Sequence, residues 1–171
     1  EYAERVSDDD LKELWEQILA GQFTRQSDFS LRTLRIVQDL TMDIAKDFEI
    51  FCGSIFEVNG DYLSLRVETM GGTKSYLGYF GLDFSRLTDL SEYGLVTLGS
   101  VAFEENEGSV FSYGGQSFVA KEKIKFRANP LTGAGREIYK LIRSNGQIKR
   151  SDKYFKMILR LNRRRAFVPD S

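Results

Sequence analysis

With 42% hydrophobic residues and 13 Phe among its 171 residues, the chain is long enough to bury a core of ordinary size. Its net charge of −1 excludes a uniform field that would attract nucleic acid or anionic lipid, and no apolar run reaches the roughly 18 residues that a membrane span needs. One cysteine and no histidine exclude a disulfide framework, Ser-His-Asp and Cys-His catalysis, and zinc sites built from Cys and His.

Residues 11–40 predict two helices joined by a short polar loop. Apolar residues recur at helical spacing in the first helix, at Leu11, Leu14, Trp15, Ile18 and Leu19. A second apolar stripe follows the loop, at Leu31, Leu34, Val37 and Leu40. Because the connection is short, we expect the two helices to be antiparallel neighbours.

This helix pair contains two specific runs, LWEQILAG at residues 14–21 and FSLRTL at residues 29–34. Both resemble an LWxxILAG and FSLRTL helix pair in the C-terminal half of an uncharacterised bacterial family, a domain of unknown function. More distantly, the pair is similar to that of the Abi-alpha abortive-infection proteins. The resemblance implies a bacterial cytosolic protein tied to phage defence, and it supplies no chemistry. Together with the start at Glu1, it predicts the C-terminal part of a longer protein.

The middle of the chain predicts a third helix, a hairpin and a fourth helix. Thr41 can cap a helix from Met42 to about Ile55, with Cys52 buried on its apolar face. The dipeptide at residues 59–60 is Asn-Gly, the strongest short signal for a hairpin turn. The sequence predicts no helix or strand for residues 73–82. Asp83 or Ser85 can cap the fourth helix, which ends at residue 94.

The next part predicts strands and a further helix. Three strands, at about residues 98–104, 109–113 and 117–126, are expected to form an antiparallel meander. Thr132 is expected to cap the helix that follows Pro130. A helix, a strand-forming wing and an LTxxGxE phrase in this order are similar to winged-helix domains.

The C-terminal end carries the clearest charge asymmetry. Residues 1–139 have a net charge of −9, whereas residues 140–171 have a net charge of +8. A last helix is expected to start near Ser151, with Tyr154, Phe155, Ile158 and Leu159 on its apolar side. The candidate nucleic-acid or polyanion contacts are Lys149, Arg150, Lys153, Lys156, Arg160, Arg163, Arg164 and Arg165. The competing interpretation is a docked amphipathic helix whose charges are simply solvated.

We therefore predict an α+β fold in one domain, residues 1–171, with small antiparallel sheets. Its parts are a helical segment (1–58), a hairpin and loop (59–82), a winged-helix-like part (83–143) and a basic amphipathic helix and tail (144–171).

The leading functional hypothesis is a non-catalytic binding or assembly module of a bacterial cytosolic protein. We expect a protein partner or a second copy, leave nucleic acid open as a further partner, and expect no membrane span, cofactor or metal. One alternative is a carboxylate-metal hydrolase such as a nuclease, which would draw on Asp8, Asp9 and Asp10, on Asp43 and Asp47, or on Glu104, Glu105 and Glu107. The other alternative is a purely structural domain that self-associates through its acidic body (residues 1–139) and its basic tail (residues 140–171).

Overall fold

The computed structural model describes Glu13, Glu16 and residues 29–66, 76–144, 146, 148–162 and 167–169. Glu13 and Glu16 are helical, but the rest of the predicted first helix, including Trp15, lies outside the described residues. The helices with described ends are α1 (Leu31–Asp39), α2 (Met42–Cys52), α3 (Phe84–Glu92), α4 (Gly133–Ser144) and α5 (Asp152–Asn162). A short 3-10 helix, Tyr76–Phe80, occupies half of the segment 73–82, for which the sequence predicts no element.

A side-chain oxygen caps the start of each of these five helices. In every case it accepts a hydrogen bond from the backbone N–H three residues further on, which satisfies a donor that the helix itself leaves unpaired. The capping residues are Ser30, Thr41, Asp83, Thr132 and Ser151. The predicted caps at Thr41 and Thr132 are confirmed, and of the two candidates for α3 it is Asp83, not Ser85, that caps the helix.

The described strands form one antiparallel sheet of seven. They are β1 (Ile55–Val58), β2 (Asp61–Leu65), β3 (Val101–Glu105), β4 (Val110–Tyr113), β5 (Gln116–Ala120), β6 (Ile124–Pro130) and β7 (Phe167–Pro169). Their spatial order is β3-β6-β2-β1-β4-β5-β7. The α+β class is thus confirmed, but the several small sheets that we expected are one continuous sheet.

The hairpin of β1 and β2 has the turn that its sequence predicts. Val58 pairs with Asp61, so only Asn59 and Gly60 lie in the turn. Both have positive φ angles, 49° and 90°, as a two-residue type I′ turn requires.

The predicted three-strand meander is wrong. The third expected strand is two strands, β5 and β6, because the chain turns back between residues 120 and 124. Among β3 to β6, only β4 and β5 pair as chain neighbours. Strand β6 lies between β3 and β2, and β4 pairs with β1. Since these pairings reach outside residues 83–143, the winged-helix likeness of that segment is not confirmed.

Two helices pack on opposite faces of the sheet. In β1 the neighbouring Phe56 and Glu57 point to opposite faces, because side chains alternate along a strand. On the Phe56 face, α5 packs its Tyr154, with ring centroids 5.9 Å apart. On the Glu57 face, α4 forms an ion pair between Arg143 and Glu57. The side chains of α4 and α5 that touch the sheet are therefore separated by the sheet itself.

Two further expectations about the helical segment are corrected. The helix capped by Thr41 ends at Cys52, and Ile55 already begins β1, so the helical segment does not reach residue 58. Val37 of α1 and Leu40, which directly follows that helix, are buried as expected, but Leu31 is 78% exposed. Thr33 is buried in its place, because α1 turns that side towards α4, where Glu137 accepts a hydrogen bond from the backbone N–H of Ser30. No helix in the described part of the chain is long and apolar enough to cross a membrane.

Candidate polyanion-binding face

Helix α5 is docked on the sheet by its apolar side, as its pattern predicts. Tyr154 and Ile158 are buried, and the hydroxyl of Tyr154 donates a hydrogen bond to the carbonyl oxygen of Leu65 at 2.6 Å. The ring of Tyr154 also packs edge-on against Phe80, with the centroids 5.1 Å apart. This packing determines which side of α5 faces outwards.

Four of the predicted polyanion contacts lie exposed on or just before this helix: Lys149, Lys153, Lys156 and Arg160. We call these four residues the basic face. The last three follow helical spacing on the side opposite Tyr154 and Ile158, because residues three and four apart share one side of a helix. The other predicted contacts, Arg163, Arg164 and Arg165, lie outside the described residues.

Arg150 points into the protein instead. Its guanidinium donates to the carbonyl oxygen of Ile55 at 2.6 Å and to the hydroxyl of Tyr139 at 3.0 Å. The same group lies over the ring of Tyr113, with Cζ 4.8 Å from the ring centroid. The side chain thus joins β1, β4 and α4, so we assign it a structural role rather than a contact with an external anion.

The two tyrosines around Arg150 are held in their neutral form. Burial raises the pKa of Tyr113 and that of Tyr139, and the nearby cation of Arg150 lowers each only in part. Both hydroxyls therefore keep their protons. The hydroxyl of Tyr113 uses its proton to bond the carbonyl oxygen of Gly53 at 2.7 Å, and it accepts a hydrogen bond from the backbone N–H of Ser151 at 3.0 Å.

Three of the four cations of the basic face lie outside the ion pairs that other described residues form. Those pairs join Arg86 to Asp47, Lys123 and Lys125 to Glu104, Arg136 to Asp61, and Arg143 to Glu57. Lys149, Lys156 and Arg160 take part in none of them. Exposed cations of this kind remain available to phosphate groups.

The described carboxylates that were candidate metal ligands are used differently. Asp47 bonds Arg86 at 3.0 Å, and Glu104 pairs with two lysines of the β6 region. Glu105 accepts hydrogen bonds from Asn59 and Ser109. In the described part of the chain, no three His, Cys, Asp or Glu side chains are grouped so that they could hold a metal ion. Asp8, Asp9 and Asp10 lie outside it, and the hydrolase alternative stays a prediction.

Cys52 is buried, as its place on the apolar face of α2 predicts. Burial raises the pKa of its thiol well above the ordinary value, and the neighbouring charge of Glu49 raises it further. A thiol in this setting is a poor nucleophile, because the reactive species is the thiolate.

A family model described as "Protein of unknown function (DUF2806)" matches residues 1–159. The chain belongs to the DUF2806 family. The predicted membership of an uncharacterised family is thus confirmed, while the Abi-alpha likeness is not shown by this match. The matched region includes the first three residues of the basic face and ends one residue before Arg160. Neither the curated proteins nor the solved structures compared with the chain include a match.

Proposed function

We propose that this DUF2806 chain is a non-catalytic binding module that contacts nucleic acid through the basic face. The observation that carries the proposal is the division of α5 into a buried apolar side and an exposed side with Lys153, Lys156 and Arg160. Because the apolar side is docked on the sheet, the cations are held on a rigid support. Lysine and arginine side chains on such a support suit contacts with successive phosphates.

The charge of the remaining chain supports a contact limited to this face. Residues 1–139 have a net charge of −9 and would repel a polyanion, whereas residues 140–171 have a net charge of +8. Such a distribution orients an approaching polyanion towards the positive end. We therefore expect binding that depends strongly on salt and weakly on base sequence, since phosphate contacts carry little sequence information.

The test is fluorescence anisotropy with a labelled DNA duplex and a labelled RNA single strand at several salt concentrations. The variant replaces Lys149, Lys156 and Arg160 with Ala. On a DNA duplex each lost phosphate contact should reduce the slope of log K against log salt by about 0.9, so the triple variant should lose roughly two to three units of slope.

The matched control removes three exposed cations from α1 and α2, by replacing Arg32, Arg35 and Lys46 with Ala. It changes the net charge by the same amount but leaves the basic face intact, so its slope should stay near that of the unaltered chain. Equal losses of slope in both variants would show that binding depends on net charge alone and not on the basic face. Salt-independent binding, or none at low salt, would refute the proposal.

The same variants distinguish nucleic-acid binding from self-association. If the basic face instead meets the acidic body of a second copy, light scattering at low salt will show a dimer that the triple variant abolishes. That result, with no binding of either nucleic acid, would favour the self-association alternative over the proposed function.

As biological context we propose a bacterial assembly that acts in phage defence. The support is the resemblance of the helix pair at residues 14–34 to abortive-infection proteins. Deleting the gene from its host should raise the plating efficiency of at least one phage, and the unaltered gene should restore resistance. Unchanged plating for a broad phage panel would argue against this context.

A further inference from the structure

A second cluster of cations lies on the sheet, at the end of the β2–β6–β3 ladder. Arg66 directly follows β2, Arg127 lies in β6, and Ser100 directly precedes β3. The backbone N–H of Arg66 donates to the carbonyl oxygen of Arg127 at 2.8 Å. The two arginines are thus cross-strand neighbours, and such neighbours place their side chains on the same face of a sheet.

Both guanidinium groups converge on one hydroxyl. Nη1 of Arg66 donates to Oγ of Ser100 at 2.8 Å, and Nε of Arg127 donates to the same oxygen at 2.7 Å. Nη2 of Arg127 also donates to the carbonyl oxygen of Ser100 at 2.8 Å. The side chains of all three residues are therefore held in fixed positions relative to one another.

The buried side-chain amide of Asn129 holds the loop that carries Ser100. Nδ2 of Asn129 donates to the carbonyl oxygen of Thr97 at 3.1 Å and to that of Gly99 at 2.9 Å. Gly99 has a φ of 81°, a conformation that side chains other than glycine rarely adopt. Because the Asn129 side chain belongs to β6, the position of Ser100 is fixed by the same strand that carries Arg127.

Several hydrogen-bond donors of Arg66, Ser100 and Arg127 are not used within the cluster. A serine hydroxyl has two acceptor lone pairs and one proton. Since Oγ of Ser100 accepts from both arginines, its own proton must be donated elsewhere. Each guanidinium has five N–H groups, and those not used on Ser100 remain available. One O–H and several N–H donors of the cluster are thus left for an acceptor from outside it.

The cluster also carries excess positive charge. The ion pairs among the described residues use Arg86, Arg136, Arg143, Lys123 and Lys125, and neither Arg66 nor Arg127. Two like charges that share one hydroxyl repel each other, and a bound anion would relieve that repulsion. Guanidinium groups bind phosphate oxygens through paired N–H bonds, which makes arginine the preferred partner of a phosphate at a fixed site.

We propose that Arg66, Ser100 and Arg127 form a binding site for a single phosphate group. Donors from two guanidinium planes and a hydroxyl suit a tetrahedral anion with several oxygens better than a planar carboxylate. The proposal does not depend on the basic face, because Arg66, Ser100 and Arg127 are not among the residues of that face.

The test is a titration of the isotopically labelled, otherwise unaltered chain with inorganic phosphate, followed by amide NMR at constant ionic strength. We expect saturable shifts at Ser100 and its neighbours and at the Nε–H of Arg127. Sulfate should compete for the same resonances, and acetate should compete much more weakly. Saturation by acetate at the same concentration would show a site for carboxylates rather than for phosphate.

Three variants, Arg66→Gln, Arg127→Gln and Ser100→Ala, should each weaken the binding of phosphate. A lost charge-assisted hydrogen bond corresponds to roughly a tenfold loss of affinity or more. The matched control is Arg35→Gln, which removes an exposed arginine of α1 and should leave phosphate affinity unchanged. Amide spectra in chloride report whether each variant is folded, and the titration of the unaltered chain does not rely on any variant.

The proposal is overturned if phosphate causes no saturable shift, or if the shifts fall on the basic face and spare Ser100. It is also overturned if the control loses as much affinity as the three variants. Loss of nucleic-acid binding in the triple variant of the basic face, with phosphate titration at Ser100 unchanged, would show that the two sites are separate.

Discussion

The Arg150 guanidinium stacks over the ring of Tyr113, with 4.8 Å between Cζ and the ring centroid. This contact stands at the point where the C-terminal end of α2 meets the start of α5. The backbone of Lys149 approaches Gly53 so closely that a Cβ built on this glycine would overlap the Lys149 carbonyl oxygen. The direction in which the basic face points is thus set by Arg150, Tyr113 and Gly53, and not by α5 alone.

Replacing Arg150 with Met should lower the free energy of unfolding by about 1.5–3 kcal/mol, because hydrogen bonds from a cation to Ile55 and Tyr139 are lost. The matched control is Lys149→Met, which removes the exposed cation next to it and should change stability by less than about 0.5 kcal/mol. Urea unfolding of both variants measures the difference. Equal effects at the two positions would contradict the structural role of Arg150.

Gly135→Ala should destabilise the fold by about 1–3 kcal/mol, the usual cost of overpacking. A Cβ there would overlap the carbonyl oxygen of Leu95, which cannot move freely because it accepts a hydrogen bond from the backbone N–H of Thr132. Gly133→Ala in the same helix meets no atom within 4 Å, so it should be neutral or stabilise by up to about 1 kcal/mol. Thermal unfolding compares the two, and similar midpoints would refute this account of how α4 packs.

Asp47→Asn should become relatively more stabilising as the pH rises. Burial is the main cause that raises the pKa of Asp47 above its ordinary value of 3.8, the negative charges of Asp43, Asp83 and Asp89 add to it, and Arg86 lowers it only in part. The protonated form is therefore favoured by folding. The stability that this group contributes is complete below 3.8 and is lost as the pH rises through the higher folded-state pKa.

The measurement is the difference in free energy of unfolding between Asp47→Asn and the unaltered chain, at neutral pH and at a pH below 3.8. The difference should favour the variant more at neutral pH. Asp39→Asn, at an exposed position of α1, controls for the general loss of a negative charge. A difference that favours the variant less at neutral pH would contradict the raised pKa.

The thiol of Cys52 should react with a disulfide reagent only when the protein unfolds. It is buried, and the same burial raises its pKa, so both access and thiolate content are low. Labelling in native buffer should therefore proceed no faster than the opening of the structure, while labelling in denaturant should be complete and rapid. Rapid stoichiometric labelling of the native protein would show that α2 opens locally.

Patterns between near neighbours in the chain predicted much of the fold. The caps at Thr41 and Thr132 follow from side chains that reach a backbone N–H three residues away, and the turn at residues 59–60 follows from the φ angles that Asn and Gly tolerate. The burial of Tyr154 and Ile158 follows from helical spacing. Each of these signals lies within about one helical turn or one tight turn of the chain, where periodicity and capping act.

The polyanion candidates show where such reasoning stops. All eight were chosen for charge and closeness in sequence, and that criterion treated Lys149 and Arg150 alike. In the structure Lys149 is exposed, whereas Arg150 meets acceptors that lie 95 and 11 residues away in the chain. The Arg66–Ser100–Arg127 cluster has no linear signal at all, because Ser100 is 34 residues from Arg66 and 27 from Arg127.

By itself, the sequence determined the α+β class, the helix starts, the hairpin turn and the division of α5 into an apolar and a basic side. Each depends on backbone geometry and side-chain period, which act locally. Only the tertiary structure decided that β6 lies between β3 and β2, that Thr33 rather than Leu31 is buried, and which arginines point inwards. Strand order and the direction of a charged side chain depend on partners distant in the chain, and hydrophobic spacing carries no information about which distant segments will meet.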